Sequence, residues 1–199
     1  MFDANRTMRA IALTAIAAVP SLLLVGGGVL SQTTKPSTQE GLAAWEKVAS
    51  VLQHPRCLNC HQVTSPLQGN VPREHMPRVE RGKDNHGIAV LKCSNCHGSA
   101  NNPTSRVPGA GDGHWQLAPL SMNWQGLSIG ELCRQLKDPK RNGNRDGKAL
   151  IAHMDKPTAD PLVLWGWEPG EGRDAVPMPH SDFVNLLKVW VDSGQVCPR

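Results

Sequence analysis

The sequence predicts a mostly α-helical, loop-rich fold. Three observations carry that prediction. Apolar residues recur at helical spacing behind two capping boxes, and a further amphipathic run lies near the C-terminus. The 199 residues also contain 19 Gly and 16 Pro, which cut the chain into short elements. There is no Tyr and there are only two Phe, against six Trp. Long aliphatic runs are scarce beyond residue 30, so the core is expected to form around another apolar body.

Residues 1–31 read as a leader. Arg6 and Arg9 stand before the uncharged stretch Ala10–Leu30, the order of a positively charged n-region and an apolar h-region. Two outcomes fit: a signal peptide cut after Ser31, or an uncleaved N-terminal membrane anchor. Pro20 and the glycines at 26–28 interrupt a helix and suit a processed signal better. Either outcome sends the rest of the chain out of the cytoplasm, to an oxidising compartment such as the periplasm. Beyond residue 31 the chain has 19 Lys and Arg against 16 Asp and Glu, a net of +3. That small excess gives no argument for a nucleic-acid partner or an anionic membrane.

Residues 32–37 form a polar lead-in, and residues 38–199 read as one domain. The box Ser37-Thr38-Gln39-Glu40 opens a helix with Leu42, Trp45, Val48, Ala49 and Leu52 on one face. It should end at Gln53, because Pro55 disfavours helix at His54. His54 is expected in a turn role rather than as a ligand.

The chain then reads Cys57-Leu58-Asn59-Cys60-His61, and repeats the pattern as Cys93-Ser94-Asn95-Cys96-His97. C-x-x-C-H is the attachment pattern of c-type haem. Two thiols add to the porphyrin vinyl groups and the adjacent imidazole becomes the proximal iron ligand. With this many Cys and His, chance supplies such a match about 0.01 times per chain, so two matches are a strong signal. A dithiol redox site should follow a strand, and neither motif follows a Val/Ile-rich run. A zinc knuckle needs no His directly after each second Cys. Two covalently bound haem c groups are therefore the expected cofactors, held by Cys57, Cys60, His61, Cys93, Cys96 and His97. Their four propionates would cancel the positive excess. The fold expected is a cytochrome c-like set of helices packed around these two haems.

Each iron has a second axial position, for which His and Met are the usual choices. His75 and Met76 precede Pro77 in the stretch between the motifs, where residues 63–72 read as loop. One of the two is expected to ligate. Arg73, Arg78 and Arg81 suit haem propionates or a solvated surface equally. After the second motif, a Gly/Pro-rich loop leads to Met122, a distal candidate for the second haem or a core methionine. Ser128-Ile129-Gly130-Glu131 is the second capping box, and Ile129, Leu132, Cys133 and Leu136 give a helix stopped at Asp138-Pro139. Lys148–Met154 reads as a short helix in which His153 and Met154 are weaker ligand candidates. Asp160–Trp167 is apolar and is expected over a haem edge, with an indole N–H near a propionate. Met178, between Pro177 and Pro179, is a third distal candidate. It leads into a last helix with Ser181 as cap, apolar Phe183, Leu186, Leu187 and Trp190, and an end at Gly194. Cys133 and Cys197 remain once the haem cysteines are assigned. An even count in an oxidising compartment makes a disulfide the natural pairing, the alternative being one buried and one exposed free thiol.

The stretch His54–His61, Arg81-Gly82, the second motif, Leu117-Ala118-Pro119, Glu131-Leu132-Cys133, Trp165-Gly166-Trp167 and Cys197-Pro198 together resemble a group of small dihaem c-type cytochromes. These are often labelled as an isoquinoline 1-oxidoreductase-type subunit. The resemblance covers most of residues 40–198. It implies single-electron exchange with a redox protein donor or acceptor, such as a molybdenum or other dehydrogenase. The rival expectation is an enzyme or sensor, a dihaem peroxidase-like protein with an open iron site.

Overall fold

The computed structural model describes residues 34–111, 113–156 and 159–199, and the expected leader at 1–31 lies outside them. Six α-helices and two small hairpins make up the regular structure of the described residues. No helix among them is long and apolar enough to cross a membrane. Residues from Thr34 onward form one compact unit.

Helix α1 (Thr38–Leu52) begins as the sequence requires. The Ser37 hydroxyl accepts from the Glu40 N–H, and the Glu40 carboxylate accepts from the Ser37 N–H at 2.8 Å. Gln53 is its C-cap. Helix α2 (Pro55–Leu58) follows at once and carries Cys57. His54 is its N-cap, with Nδ1 accepting from the Arg56 N–H at 3.3 Å. A turn role for His54 is what the structure has.

Two antiparallel hairpins fill the stretch between the motifs. Strands β1 (Leu67–Gln68) and β2 (Arg73–Glu74) pair Leu67 with Glu74, and β3 (Gly87–Ile88) and β4 (Leu91–Lys92) pair Gly87 with Lys92. The loop expected over 63–72 thus contains a strand, too short to leave an alternating pattern in the sequence. Strand β4 runs directly into Cys93. Gly87 (φ +86°) must be glycine, since a Cβ there would sit 2.5 Å from the Leu91 carbonyl oxygen.

Helix α3 (Ile129–Lys137) repeats the capping box through Ser128 and Glu131 and stops at Asp138. A charged turn over 139–146 is folded by buried Asn142, whose amide donates to the Leu136 and Arg145 carbonyls at 2.7 Å. Helix α4 (Gly147–Met154) is capped by Asp146, and α5 (Pro161–Trp165) by Asp160 with Pro161 in its first turn. Helix α6 (His180–Asp192) starts earlier than the sequence suggested. Pro179 is the N-cap residue and Ser181 lies inside the first turn. The His180 Nε2 donates to the Met154 carbonyl at 2.7 Å, which anchors that start on α4.

The core lies among α1, α3, α4 and α6. Trp45 and Trp190 are fully buried, with ring centroids 4.7 Å apart, and Val48, Ala49, Leu52, Leu132, Phe183 and Leu187 close around them. Burying side chains of this size contributes about 1.5–3 kcal/mol each. The Trp45 indole donates to the Ile129 carbonyl and the Trp190 indole to the Val196 carbonyl. Gly41 lets α1 approach the end of α6, because a Cβ would meet the Ser193 Oγ at 2.1 Å. Tryptophans supply much of the volume that aliphatic runs lack in this helical core.

Cys133 and Cys197 form a disulfide, with Cα atoms 5.6 Å apart. It ties the C-terminal tail to the buried face of α3, where Arg134 also reaches the Pro198 carbonyl. The bond spans 64 residues, so its nominal stabilisation is about 4 kcal/mol. Replacing both cysteines by serine should lower the melting temperature by roughly 10 °C, read by circular dichroism.

Candidate functional site

The first C-x-x-C-H motif begins in the second half of α2, and the second begins with a 3-10 turn over Cys93–Asn95. In each, the His N–H of the backbone bonds back to the first Cys carbonyl at 2.9 Å, so the five residues curl into one turn. The four thiols are free. Burial first, and then the neighbouring Cys60, pushes the Cys57 thiol up to about 12; burial first, and then Cys93, pushes Cys60 up to about 11. Both therefore stay neutral at physiological pH. Among the described residues no three His, Cys, Asp or Glu side chains converge at one point.

The two motif histidines are held in the same way. His61 Nδ1 donates to the Met122 carbonyl at 2.8 Å, and His97 Nδ1 donates to the Pro108 carbonyl at 2.7 Å. A carbonyl only accepts, so Nδ1 carries the proton and Nε2 keeps its lone pair. Each ring also lies flat on an indole. His61 stacks on Trp124 with centroids 3.4 Å apart, and His97 on Trp115 with centroids 4.5 Å apart. Ligating histidines are oriented by such bonds from the other ring nitrogen. Burial pushes His61 down to about 4, and lowers His97 as well. Neutral rings are the form that binds a metal.

The Met122 carbonyl is placed from α3. Buried Gln135 donates through Nε2 to the adjacent Ser121 carbonyl at 2.6 Å, fixing the 3-10 turn Leu120–Met122. Arg81 bridges the two motif regions. Its guanidinium donates to the carbonyls of Gln62 and Ala118 and to the Asn85 side chain. Its fork is thus directed at protein oxygens, whereas Arg78 is exposed and outside the cavity.

A cavity of about 640 Å³ opens beside the motifs, within the usual range of ligand sites. Cys60, Cys93, Cys96 and His97 line it, as do Trp115 and Trp165. Its cations are Arg56, Arg73, Lys92, Arg106 and Arg173, and among the described residues no Asp or Glu lines it. Arg56 is buried, makes no ion pair among the described residues, and leaves its Nε without an acceptor. Burial first, then Arg173, lowers its pKa, and Asp174 partly offsets this. A buried cation without an ion pair calls for an anion. Cys93, Cys96 and His97 in this lining fit a flat, apolar, dianionic group attached through thiols; Arg56 donates to Asn70 and Arg173 to the Pro169 and Arg106 carbonyls, and the Nε of Arg56 is left for an anion.

The other sequence candidates are spread out. His75 and Met76 both line the cavity, and Met76 is 70% exposed. Met122 does not line it and contributes its carbonyl to His61 instead. Met178 packs against the helical core and borders a separate pocket, its carbonyl accepting from Trp167. Met154 is in the core, and His153 lies close enough to His61 to depress its pKa. The Trp165 indole donates to Asn101 Oδ1 and that of Trp167 to the Met178 carbonyl, so both indole N–H groups of this stretch have protein acceptors. Trp165 lines the cavity with Arg56 and Arg173 over its ring. Trp115, Trp124, Gln135 and Arg56 have site roles that no local pattern announces. Comparison with protein-family models, with curated proteins and with solved structures found no match.

Proposed function

We propose that the protein is an exported electron carrier of the periplasm, binding two c-type haems through Cys57/Cys60 and Cys93/Cys96. The observation that carries this reading is the shared arrangement of His61 and His97. Both follow a C-x-x-C pair, both donate Nδ1–H to a loop carbonyl, and both are backed by an indole. When bound, haem iron supplies a one-electron ferric–ferrous couple.

The residues of the chain do the rest. His61 and His97 present Nε2 as proximal ligands in fixed orientation, so little rearrangement accompanies a change of charge. Arg56 and Arg173 compensate propionate charge, which bears on reduction potential. Cys60 and Cys93 line the same cavity, which supports a short path between the two haems. The sequence resemblance adds a partner class: a redox protein, and among these a molybdenum or other dehydrogenase. The N-terminal segment, if retained, would keep the carrier at the membrane.

A redox titration of the exported holoprotein tests the proposal. Two one-electron steps per chain are expected, together with reversible exchange with a small redox protein. Rapid turnover of hydrogen peroxide by the ferrous or mixed-valence protein would instead make it a peroxidase.

A further inference from the structure

The imidazole of His75 lies across the cavity wall from that of His97, with ring centroids 5.9 Å apart and planes at 55°. Imidazole nitrogens bind first-row metals at about 2 Å, so two rings on opposite sides of one metal have centroids about 6 Å apart. The Nδ1 of His75 donates to the Pro77 carbonyl at 2.8 Å. That is the device which leaves Nε2 available on His61 and His97. Both His75 and His97 line the cavity, with Cys93 and Cys96 beside them.

We propose that His75 is the sixth ligand of the iron held by His97, making the second haem bis-histidine. This rests on the reading of Cys93–His97 as a haem attachment site. The remaining histidines are placed otherwise. His54 caps α2, His180 donates Nε2 to Met154, and His153 lies beside Arg145. His86 and His114 do not line the cavity. Among the methionines, Met76 turns its side chain largely to solvent, and neither Met122 nor Met178 lines the cavity. Two imidazoles give a lower potential than a His–Met pair. The second haem is therefore the lower-potential centre if the first has methionine.

Electron paramagnetic resonance of the ferric holoprotein tests the assignment, with haem content measured on each sample. His75→Ala should convert one of two haems to high spin, and added imidazole should return it to low spin. His75→Met should keep that haem low-spin and raise its potential, which covers the case in which the alanine variant does not fold. Met76→Ala should leave both haems as they were. The proposal is overturned if both haems stay low-spin in His75→Ala with the potentials of His75→Met unchanged, or if Met76→Ala yields the high-spin haem. A wild-type chain with fewer than two haems would sink the attachment reading instead, and the haem content reports that separately.

Discussion

Replacing Cys93 and Cys96 together by alanine should halve the haem absorbance per chain, and replacing Cys57 and Cys60 should do the same. On the proposed reading each pair of thiols would hold one porphyrin by two thioether bonds, and the paired histidine alone would bind it only non-covalently. The two variants should differ in stability. Cys57 packs against the helical core beside α1, whereas Cys96 is exposed and Cys93 follows a two-residue strand. Losing the first pair should therefore lower the melting temperature more than losing the second. Haem content by absorbance and melting by circular dichroism read both outcomes. Equal haem content in both variants and the wild type would remove the basis for the two-site account.

The second large effect concerns the core. Trp45→Ala should cost about 3–5 kcal/mol, the range for deleting a buried aromatic side chain. Trp45 has no exposed surface, packs at a tilt against Trp190, and donates to the carbonyl of Ile129 at the start of α3. Its loss leaves a cavity and an unpaired carbonyl together. For a chain of this size that corresponds to a fall of roughly 10 °C or more. Denaturant titration would check it, and a change below about 1 kcal/mol would mean that the α1–α6 contact contributes little to stability.

The structure explains which parts of this protein were legible in its sequence. The starts of α1 and α3 were, because a capping box is a bond between residues three apart and both partners stand in one short stretch. The turn role of His54 was legible for the same reason, through Pro55. The start of α6 was misread by a residue type: Ser181 can cap, but Pro179 and the long-range anchor of His180 on Met154 decide the boundary. The hairpins were missed because two-residue strands have no periodicity to detect. The Cys133–Cys197 pairing was reached by elimination, since the motif cysteines were already assigned.

The site divides along the same line. The motif residues stand together in two five-residue stretches, so their spacing is visible in the sequence itself. The carbonyls of Met122 and Pro108 and the indoles of Trp124 and Trp115 are not. They come from 11 to 61 residues away for the two carbonyls, and a carbonyl has no residue type to betray it. Arg56 stands next to Cys57, yet its meaning depends on a cavity wall built from distant loops, on which no described residue is a carboxylate.

The account rests on covalent attachment at two places. Intact mass of the chain isolated after export, combined with alkaline pyridine haemochrome analysis, measures this directly. Two haems per chain that resist extraction with acidified solvent, one on each of the peptides containing Cys57–His61 and Cys93–His97, are the predicted result. A chain with fewer than two haems, or with haem that extracts freely, would contradict it.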